Sequence, residues 1–315
     1  MSRVGLGGLF VSELGGNDHS SAGAVVRAAL ASGINFIDTA PSYANSEELI
    51  GSALTRRWGT VAVSTKLGGR PEGFNPRNAS HFRASFEQSL SLLRRDKVNL
   101  LLVHEPDRPG QYDWWDGRLG SGPVMDFLLE VKSEGLADSI GVAGTTAHEL
   151  GSLVQLGTFD VVLTAFNYSL LWREAADAVI APAARMGMTV IAGSPLQGGT
   201  LAGRQVLEAH ANAWLSRPRR EQLEDLYRLS DDVGISVPEL AFRFVLSNQL
   251  IDVVLTGARS VAEVQQATEF EASGPLPTDV LGALDALAAR LPCRPFEEPA
   301  LLPFGRPYRG PGPLR

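Results

Sequence analysis

The sequence predicts a single (β/α)8 barrel, and three observations carry that prediction. Eight short β-branched runs recur along the chain, each bounded by polar or glycine-containing exits. Amphipathic helical patterns separate them, so the connections read as right-handed crossovers and the sheet as parallel. The 315 residues suit one large barrel, since such barrels run past about 250 residues as one domain.

The first run, Val4–Gly7, leads into a helical pattern at Ser21–Ser32. The second, Ile34–Asp38, precedes Ser46–Arg57, where Ser46 reads as a cap with Glu47 and Glu48 in the first turn. Val61–Lys66 is followed by Asn78–Arg94, and Val98–His104 by Val124–Glu134. Ser139–Ala143 precedes Ala147–Leu156, and Thr146 with Glu149 has capping-box spacing. Asp160–Ala165 is followed by Arg173–Met186. The last two runs are Met188–Gly193 and Ile251–Gly257, with a helical pattern at Val237–Asn248 between them.

Two segments exceed the minimal barrel. Leu196 to Ser236 is too long for one crossover, and Trp214-Leu215 and Leu223–Leu229 suggest one or two added helices. Pro292 to Arg315 holds seven of the 19 prolines, which excludes a helix or central strand and predicts an extended tail. The expected organisation is therefore one domain over 1–315, with the barrel over 1–291 and the tail, 292–315, packing near the substrate pocket. An open doubly wound sheet is the competing fold. Its support is Val4-Gly5-Leu6-Gly7-Gly8-Leu9-Phe10, a partial dinucleotide fingerprint whose last glycine position holds Phe10.

Composition narrows the function classes. A net charge of −7, from 28 Lys+Arg against 35 Asp+Glu, gives no general attraction for nucleic acid or anionic membranes. The lone cysteine, Cys293, cannot form an intrachain disulfide, which fits a reducing compartment. No stretch reaches the roughly 18–20 apolar residues of a membrane span, and Met1–Gly5 enters a strand without a signal-peptide core. The expectation is a soluble cytoplasmic protein without nucleic-acid or membrane partners.

In a barrel the site lies at the C-terminal strand ends. Three consecutive runs end on ionisable residues: Asp38, followed by Tyr43 in Thr39-Ala40-Pro41-Ser42-Tyr43; Lys66; and His104. Each alone has an ordinary structural reading, as a cap, loop packing, a solvated strand end or a core histidine. Together they form a coherent acid–base set. A tyrosine of ordinary pKa about 10 becomes a usable proton donor and acceptor beside an ammonium. Lys66 can supply that ammonium, Asp38 can hold it charged, and His104 can hydrogen-bond a substrate oxygen. This set points to carbonyl chemistry. The sequence shows no acyl- or phosphoryl-transfer nucleophile, and its five histidines lack ligand spacing, so no metal is expected. Hydride from a nicotinamide would complete the reaction.

The runs Asn35–Tyr43, Ser64-Thr65-Lys66, Leu101–His104, Ser194-Pro195-Leu196 and Thr256–Ser260 resemble, in order, those of the aldo/keto reductases. The resemblance implies a (β/α)8 barrel that binds NAD(P)(H) across its mouth. It implies Tyr43 as general acid–base, Lys66 lowering its pKa, Asp38 pairing with Lys66, and His104 orienting the carbonyl. Ser194, Pro195 and Leu196 would lie beside the pyrophosphate. Gly257, Ala258, Arg259 and Ser260, with Glu263 and Gln266, would enclose the adenosine end. Family habit tips the cofactor to NADP(H) over NAD(H), with Arg259 able to pair with a 2′-phosphate and Glu263 better suited to a free ribose.

The sequence departs from the family pattern at Ala143-Gly144, Leu163 and Gly193, where relatives place polar carboxamide contacts and a stacking aromatic. Those departures, with Asp160–Leu163 and Val237–Phe244, resemble the branch of D-threo-aldose, L-galactose and L-fucose 1-dehydrogenases. Three activities follow: reduction of an aldehyde or ketone, oxidation of an aldose at C1, and a cofactor-binding sensor or regulatory subunit with little turnover. The loop Glu105–Gly122 is expected to line the pocket for a carbonyl or sugar substrate through Tyr112, Trp114 and Trp115. Phe304, Arg306, Tyr308 and Arg309 in the tail could do the same.

Overall fold

A computed structural model describes residues 1–54, 59–108, 111–204, 215–295, 298 and 310–312. Its strands are β1 (Val4–Gly7), β2 (Phe36–Asp38), β3 (Ala62–Leu67), β4 (Val98–His104), β5 (Ala137–Gly144), β6 (Val161–Ala165), β7 (Thr189–Gly193) and β8 (Val253–Thr256). They close in chain order into a parallel barrel, with Val4, Gly5 and Leu6 of β1 paired to Val254, Leu255 and Thr256 of β8. The predicted barrel is the observed one, and the open sheet is excluded. β5 begins earlier than the β-branched run suggested. β2 begins only at Phe36, because Asn35 is tied to Ser2 through both backbone and side chain.

Period-two alternation sorts side chains between two layers. Phe36, Leu100, Leu102, Ala143, Val161, Leu163, Ile191, Val253 and Leu255 fill the barrel interior. Their outward neighbours, such as Ile37, Val63, Leu101, Val142, Val162 and Val254, join the core beneath the helices. Gly5 shares the crowded interior: a Cβ there would lie 2.9 Å from Leu255 and from Phe36.

The helices are α1 (His19–Ala31), α2 (Ser46–Leu54), α3 (Ala79–Leu93), α4 (Pro123–Ser133), α5 (Ala147–Val154), α6 (Ala181–Arg185), α7 (Arg217–Val233), α8 (Val237–Ser247), α9 (Val261–Ala272) and α10 (Thr278–Ala289). Asp18 and Ser21 form a reciprocal capping box at α1. Thr146, by contrast, makes no side-chain cap at α5. Asp107 takes that role: its Oδ2 accepts from the N–H groups of Thr145 and Thr146 at 2.7 and 2.6 Å and from Thr146 Oγ1 at 2.8 Å. One π-wound turn, Ala176–Ile180, precedes α6. The expected helical pattern Ser46–Arg57 reaches Leu54 among the described residues, and Arg57 lies outside them.

The insertion before β8 contributes α7, longer than Leu223–Leu229 alone indicated; Trp214 lies outside the described residues. α9, which closes the eighth unit, and α10 follow the last helical pattern expected from the sequence, Val237–Asn248. Glu298 of the tail is buried, accepting from Trp172 Nε1 at 3.1 Å, Ser216 Oγ at 2.9 Å and Arg219 Nε at 3.1 Å. The tail returns at Gly310–Gly312, where the Gly312 N–H donates to Gln111 Oε1 at 2.8 Å. Phe304, Arg306, Tyr308 and Arg309 lie outside the described residues.

Candidate active site

The alternation that packs the interior also aims the polar strand ends. Two residues beyond Phe36 stands Asp38, beyond Ala62 come Ser64 and Lys66, and beyond Leu102 stands His104. Asp38 pairs in register with Ser64, Lys66 with Leu102, and His104 with Ala143, so the three ends converge on one mouth. Tyr43 comes from the β2–α2 turn, where its N–H donates to Ala40 O and its carbonyl accepts from the Ser46 N–H.

Lys66 Nζ donates to Asp38 Oδ2 at 2.6 Å and to Thr39 O at 2.9 Å, while Ser64 Oγ donates to Asp38 Oδ1 at 2.6 Å. Burial pushes the Lys66 pKa down, and the Asp38 charge works against that shift. Lys66 Nζ stands 4.8 Å from the centroid of the Tyr43 ring, and the Tyr43 and His104 rings meet edge-on at 5.5 Å. His104 Nδ1 lies 3.3 Å from Ser42 Oγ. Burial, reinforced by the charges of Lys66 and Arg108, holds the imidazole well below its ordinary pKa and therefore neutral at pH 7.

Asp38, Tyr43, Lys66 and His104 line one cavity of about 490 Å³. Its walls continue through Ser194, Pro195 and Leu196 to Gly257, Arg259, Glu263 and Gln266. Ala258 is buried behind that wall, and Ser260 caps α9 by accepting from the Glu263 N–H at 3.2 Å. Arg259 and Glu263, which the resemblance assigns different tasks, bind each other: Arg259 N–H donates to Oε2 at 2.7 Å and Nη2 to Oε1 at 2.8 Å.

Tyr112, Trp114 and Trp115, expected in the substrate pocket, are not among the residues lining this cavity. Trp114 is buried against Phe74 and Tyr112, and the Tyr112 hydroxyl accepts from the Gly69 N–H at 3.2 Å. Trp115 packs on the outer core, and its carbonyl accepts from Arg77. Apolar area wins here because these rings gain more by covering the helix layer than by facing the mouth.

Glu105, the first residue of the loop Glu105–Gly122 expected to line the pocket, lies in the cavity wall, as do Thr145, Phe10, Phe166 and Phe242, for which the sequence indicated no role there. Glu105 had one signal, its position directly after His104. The others come from long-range packing that leaves no local pattern.

The lining fits an extended nicotinamide dinucleotide. Gly7, Gly8, Gly193, Gly198, Gly199 and Gly257 let a ligand approach the backbone, and Arg259 stands at one end. Thr145 Oγ1 is buried without a hydrogen-bond partner and belongs to the lining. Among the described residues, no group of three or more His, Cys, Asp or Glu is arranged to hold a metal. No helix among them is long and apolar enough to cross a membrane.

Fold and site define an oxidoreductase built on a (β/α)8 barrel. The chain belongs to the aldo/keto reductase family, whose sequence profile matches residues 3–289. Members of this family use nicotinamide cofactors. Among curated relatives, the D-threo-aldose 1-dehydrogenase of a Pseudomonas species is 27% identical over 79% of this chain and 82% of its own. The L-galactose dehydrogenase of Arabidopsis thaliana is 29% identical over 84% of this chain and 83% of its own. The solved structure of the glycerol dehydrogenase from Gluconobacter oxydans shares the fold, with a TM-score of 0.73 at 23% identity over 94% of each chain.

Proposed function

We propose that the protein moves hydride between NAD(P)(H) and an aldehyde, ketone or aldose, with Tyr43 as general acid–base. The observation that carries this reading is the convergence of Tyr43, Lys66, Asp38 and His104 on one end of the cavity. When bound, the nicotinamide supplies or takes up the hydride.

In the reductive direction the Tyr43 hydroxyl gives its proton to the substrate oxygen, leaving a phenolate. The Lys66 ammonium, 4.8 Å from the ring centroid, stabilises that phenolate, and Asp38 holds the ammonium in place. His104, neutral at pH 7, hydrogen-bonds the substrate oxygen and orients it without adding a second positive charge. In the oxidative direction the phenolate removes the hydroxyl proton, and each of these groups keeps its place. The similarity to proteins named D-threo-aldose 1-dehydrogenase and L-galactose dehydrogenase supports an aldose oxidised at C1 as the substrate. We assign Arg259 to the 2′-phosphate of NADP(H), with Glu263 as the counter-charge that limits the preference over NAD(H).

Tyr43→Phe is the test. Turnover of an aldehyde and aldose panel should fall about 10²–10⁴-fold, the range of general acid–base catalysis. Dinucleotide affinity, read by fluorescence titration, should stay within about twofold, and an undiminished rate removes Tyr43 from the mechanism.

A further inference from the structure

Glu105 lies outside the acid–base set yet occupies the same cavity. It follows His104 at the end of β4 with φ at 49°, a left-handed backbone that costs a residue bearing a Cβ. That backbone is pinned by its N–H donating to Ala143 O at 2.7 Å. The residue is 4% exposed, and its side chain lines the cavity. Arg108 Nη1 donates to Oε2 at 2.7 Å, and Gly310 packs so closely that a Cβ there would stand 2.7 Å from Oε2. Among the described residues, no hydrogen-bond partner meets Oε1. Burial raises the Glu105 pKa to about 7, although Arg108 and Lys66 pull it down.

Above about pH 7, where it is ionised, a carboxylate so placed offers acceptors only. An apolar ligand packed against it would leave a buried charge half paired, and an anionic one would add repulsion. A hydroxyl can donate to it in a charge-assisted bond. Resting on the oxidoreductase reading above, we propose that Glu105 is a specificity-determining residue that accepts a hydrogen bond from a substrate hydroxyl. The site thereby selects uncharged polyhydroxylated substrates over apolar aldehydes and rejects carbonyl compounds bearing a carboxylate.

Glyceraldehyde and propanal share a three-carbon aldehyde skeleton and differ by two hydroxyls, so their ratio of kcat/KM isolates the contact. In Glu105→Leu the ratio should fall at least about tenfold, since a site built around a substrate hydroxyl discriminates strongly against its absence. Glu105→Gln keeps shape and removes charge, and should raise kcat/KM for glyoxylate relative to propanal at pH 8 by about tenfold. Dinucleotide affinity should remain unchanged in both variants. Affinity is read apart from turnover by titrating the dinucleotide-loaded protein with a pentose and following tryptophan fluorescence. Binding should weaken at least about tenfold in Glu105→Leu, or in Glu105→Gln if the leucine variant does not fold. Ratios and pentose affinity within twofold of wild type overturn the assignment. Dinucleotide and pentose binding without turnover overturns the oxidoreductase reading instead, and the pentose titration then decides Glu105.

Discussion

Lys66 and Asp38 form an ion pair of 2.6 Å between side chains only 1% and 4% exposed, directly beside the Tyr43 ring. Two charges withdrawn from water stabilise little as a pair, but either alone is costly. Asp38→Asn should therefore destabilise the protein by about 3–5 kcal/mol, and adding Lys66→Met should restore most of that loss. The penalty carries a pH signature. The Lys66 pKa is already depressed by burial, and Asp38 is the largest influence opposing the shift. Without Asp38 the unfolded state binds more protons across a wider window below the ordinary lysine value, so stability should rise with pH more steeply than in wild type. Urea unfolding at pH 7 and pH 10 checks both expectations; a flat profile in Asp38→Asn would mean that Lys66 keeps its proton in the folded state without its partner, and counts against a pKa depressed by burial.

Glu105 and His104 are neighbours with opposite linkage. Glu105 titrates near 7 in the folded chain against 4.5 when unfolded, so the folded state holds the extra proton between those values. Its contribution is present below pH 4.5 and is lost as pH rises through about 7, roughly 1 kcal/mol of it between pH 6 and 8. His104, depressed below 6.5, contributes stability above that pH and loses it on acidification. The groups acting on Glu105 are Arg108, Asp107 and Lys66. Glu105→Gln should remove the decline between pH 6 and 8 while leaving the acid-side loss that His104 causes. Unfolding free energies at pH 5, 6, 7 and 8 separate the two.

At the far end of the cavity, Arg259 is engaged by Glu263, and both are partly exposed. An exposed pair of this kind contributes about 0–1 kcal/mol, so its effect on folding is small and its effect on a bound phosphate is not. Glu263→Gln should release Arg259 and raise the affinity ratio NADP(H):NAD(H) by about tenfold, one charge-assisted contact's worth. Arg259→Ala should lower the ratio by a similar factor. Fluorescence titrations with both dinucleotides measure it, and a ratio indifferent to both changes removes this pair from cofactor choice.

Much of this was legible in the chain. Strand ends are read by period two, and Phe36 to Asp38, Ala62 to Lys66 and Leu100 to His104 announce both the interior and the mouth with the same alternation. The order of the βα units then brings neighbouring ends together, so the acid–base set needed no long-range information. What stayed hidden depends on partners distant in sequence. Nothing local tells that Glu298 will be buried against Arg219 and Trp172, or that Asp107 rather than Thr146 will cap α5. The aromatic loop shows the same limit: composition says that Tyr112, Trp114 and Trp115 bury area, not against which surface.

The contact between Glu298 and Arg219 ties the tail to the insertion. Arg219 is 1% exposed and also donates to Leu171 O and to Gln222 Oε1 at 2.6 Å. Removing the carboxylate leaves a buried guanidinium with neutral partners alone. Glu298→Ala should cost about 3–5 kcal/mol, and truncation after residue 295 should cost at least as much. Arg219→Met combined with Glu298→Leu should recover a large part, because apolar replacement of a buried pair is often neutral. Thermal unfolding of the three variants distinguishes a structural clasp from a tail that merely rests on the surface.

At Gly144 and Gly193 the resemblance leads one to expect larger side chains, yet the two glycines sit in different surroundings. A Cβ at Gly144 would fall 2.6 Å from the Asp107 carboxylate, which turns the missing side chain into room for the acid that caps α5. Gly144→Ala should displace Asp107, lose its three hydrogen bonds and cost about 1–3 kcal/mol. Because the two residues share one space, Gly144→Ala with Asp107→Ala should cost less than the sum of the single changes by about 0.5–3 kcal/mol. Gly193 faces the cavity, and a Cβ there meets only the Ala165 Cβ at 3.3 Å and looser neighbours. Gly193→Ala should therefore leave stability within about 1 kcal/mol and appear instead in dinucleotide affinity, since the methyl enters ligand space. Additive costs at Gly144 and Asp107 would show that the glycine there serves the backbone alone, and an unchanged dinucleotide affinity in Gly193→Ala would place the ligand away from β7.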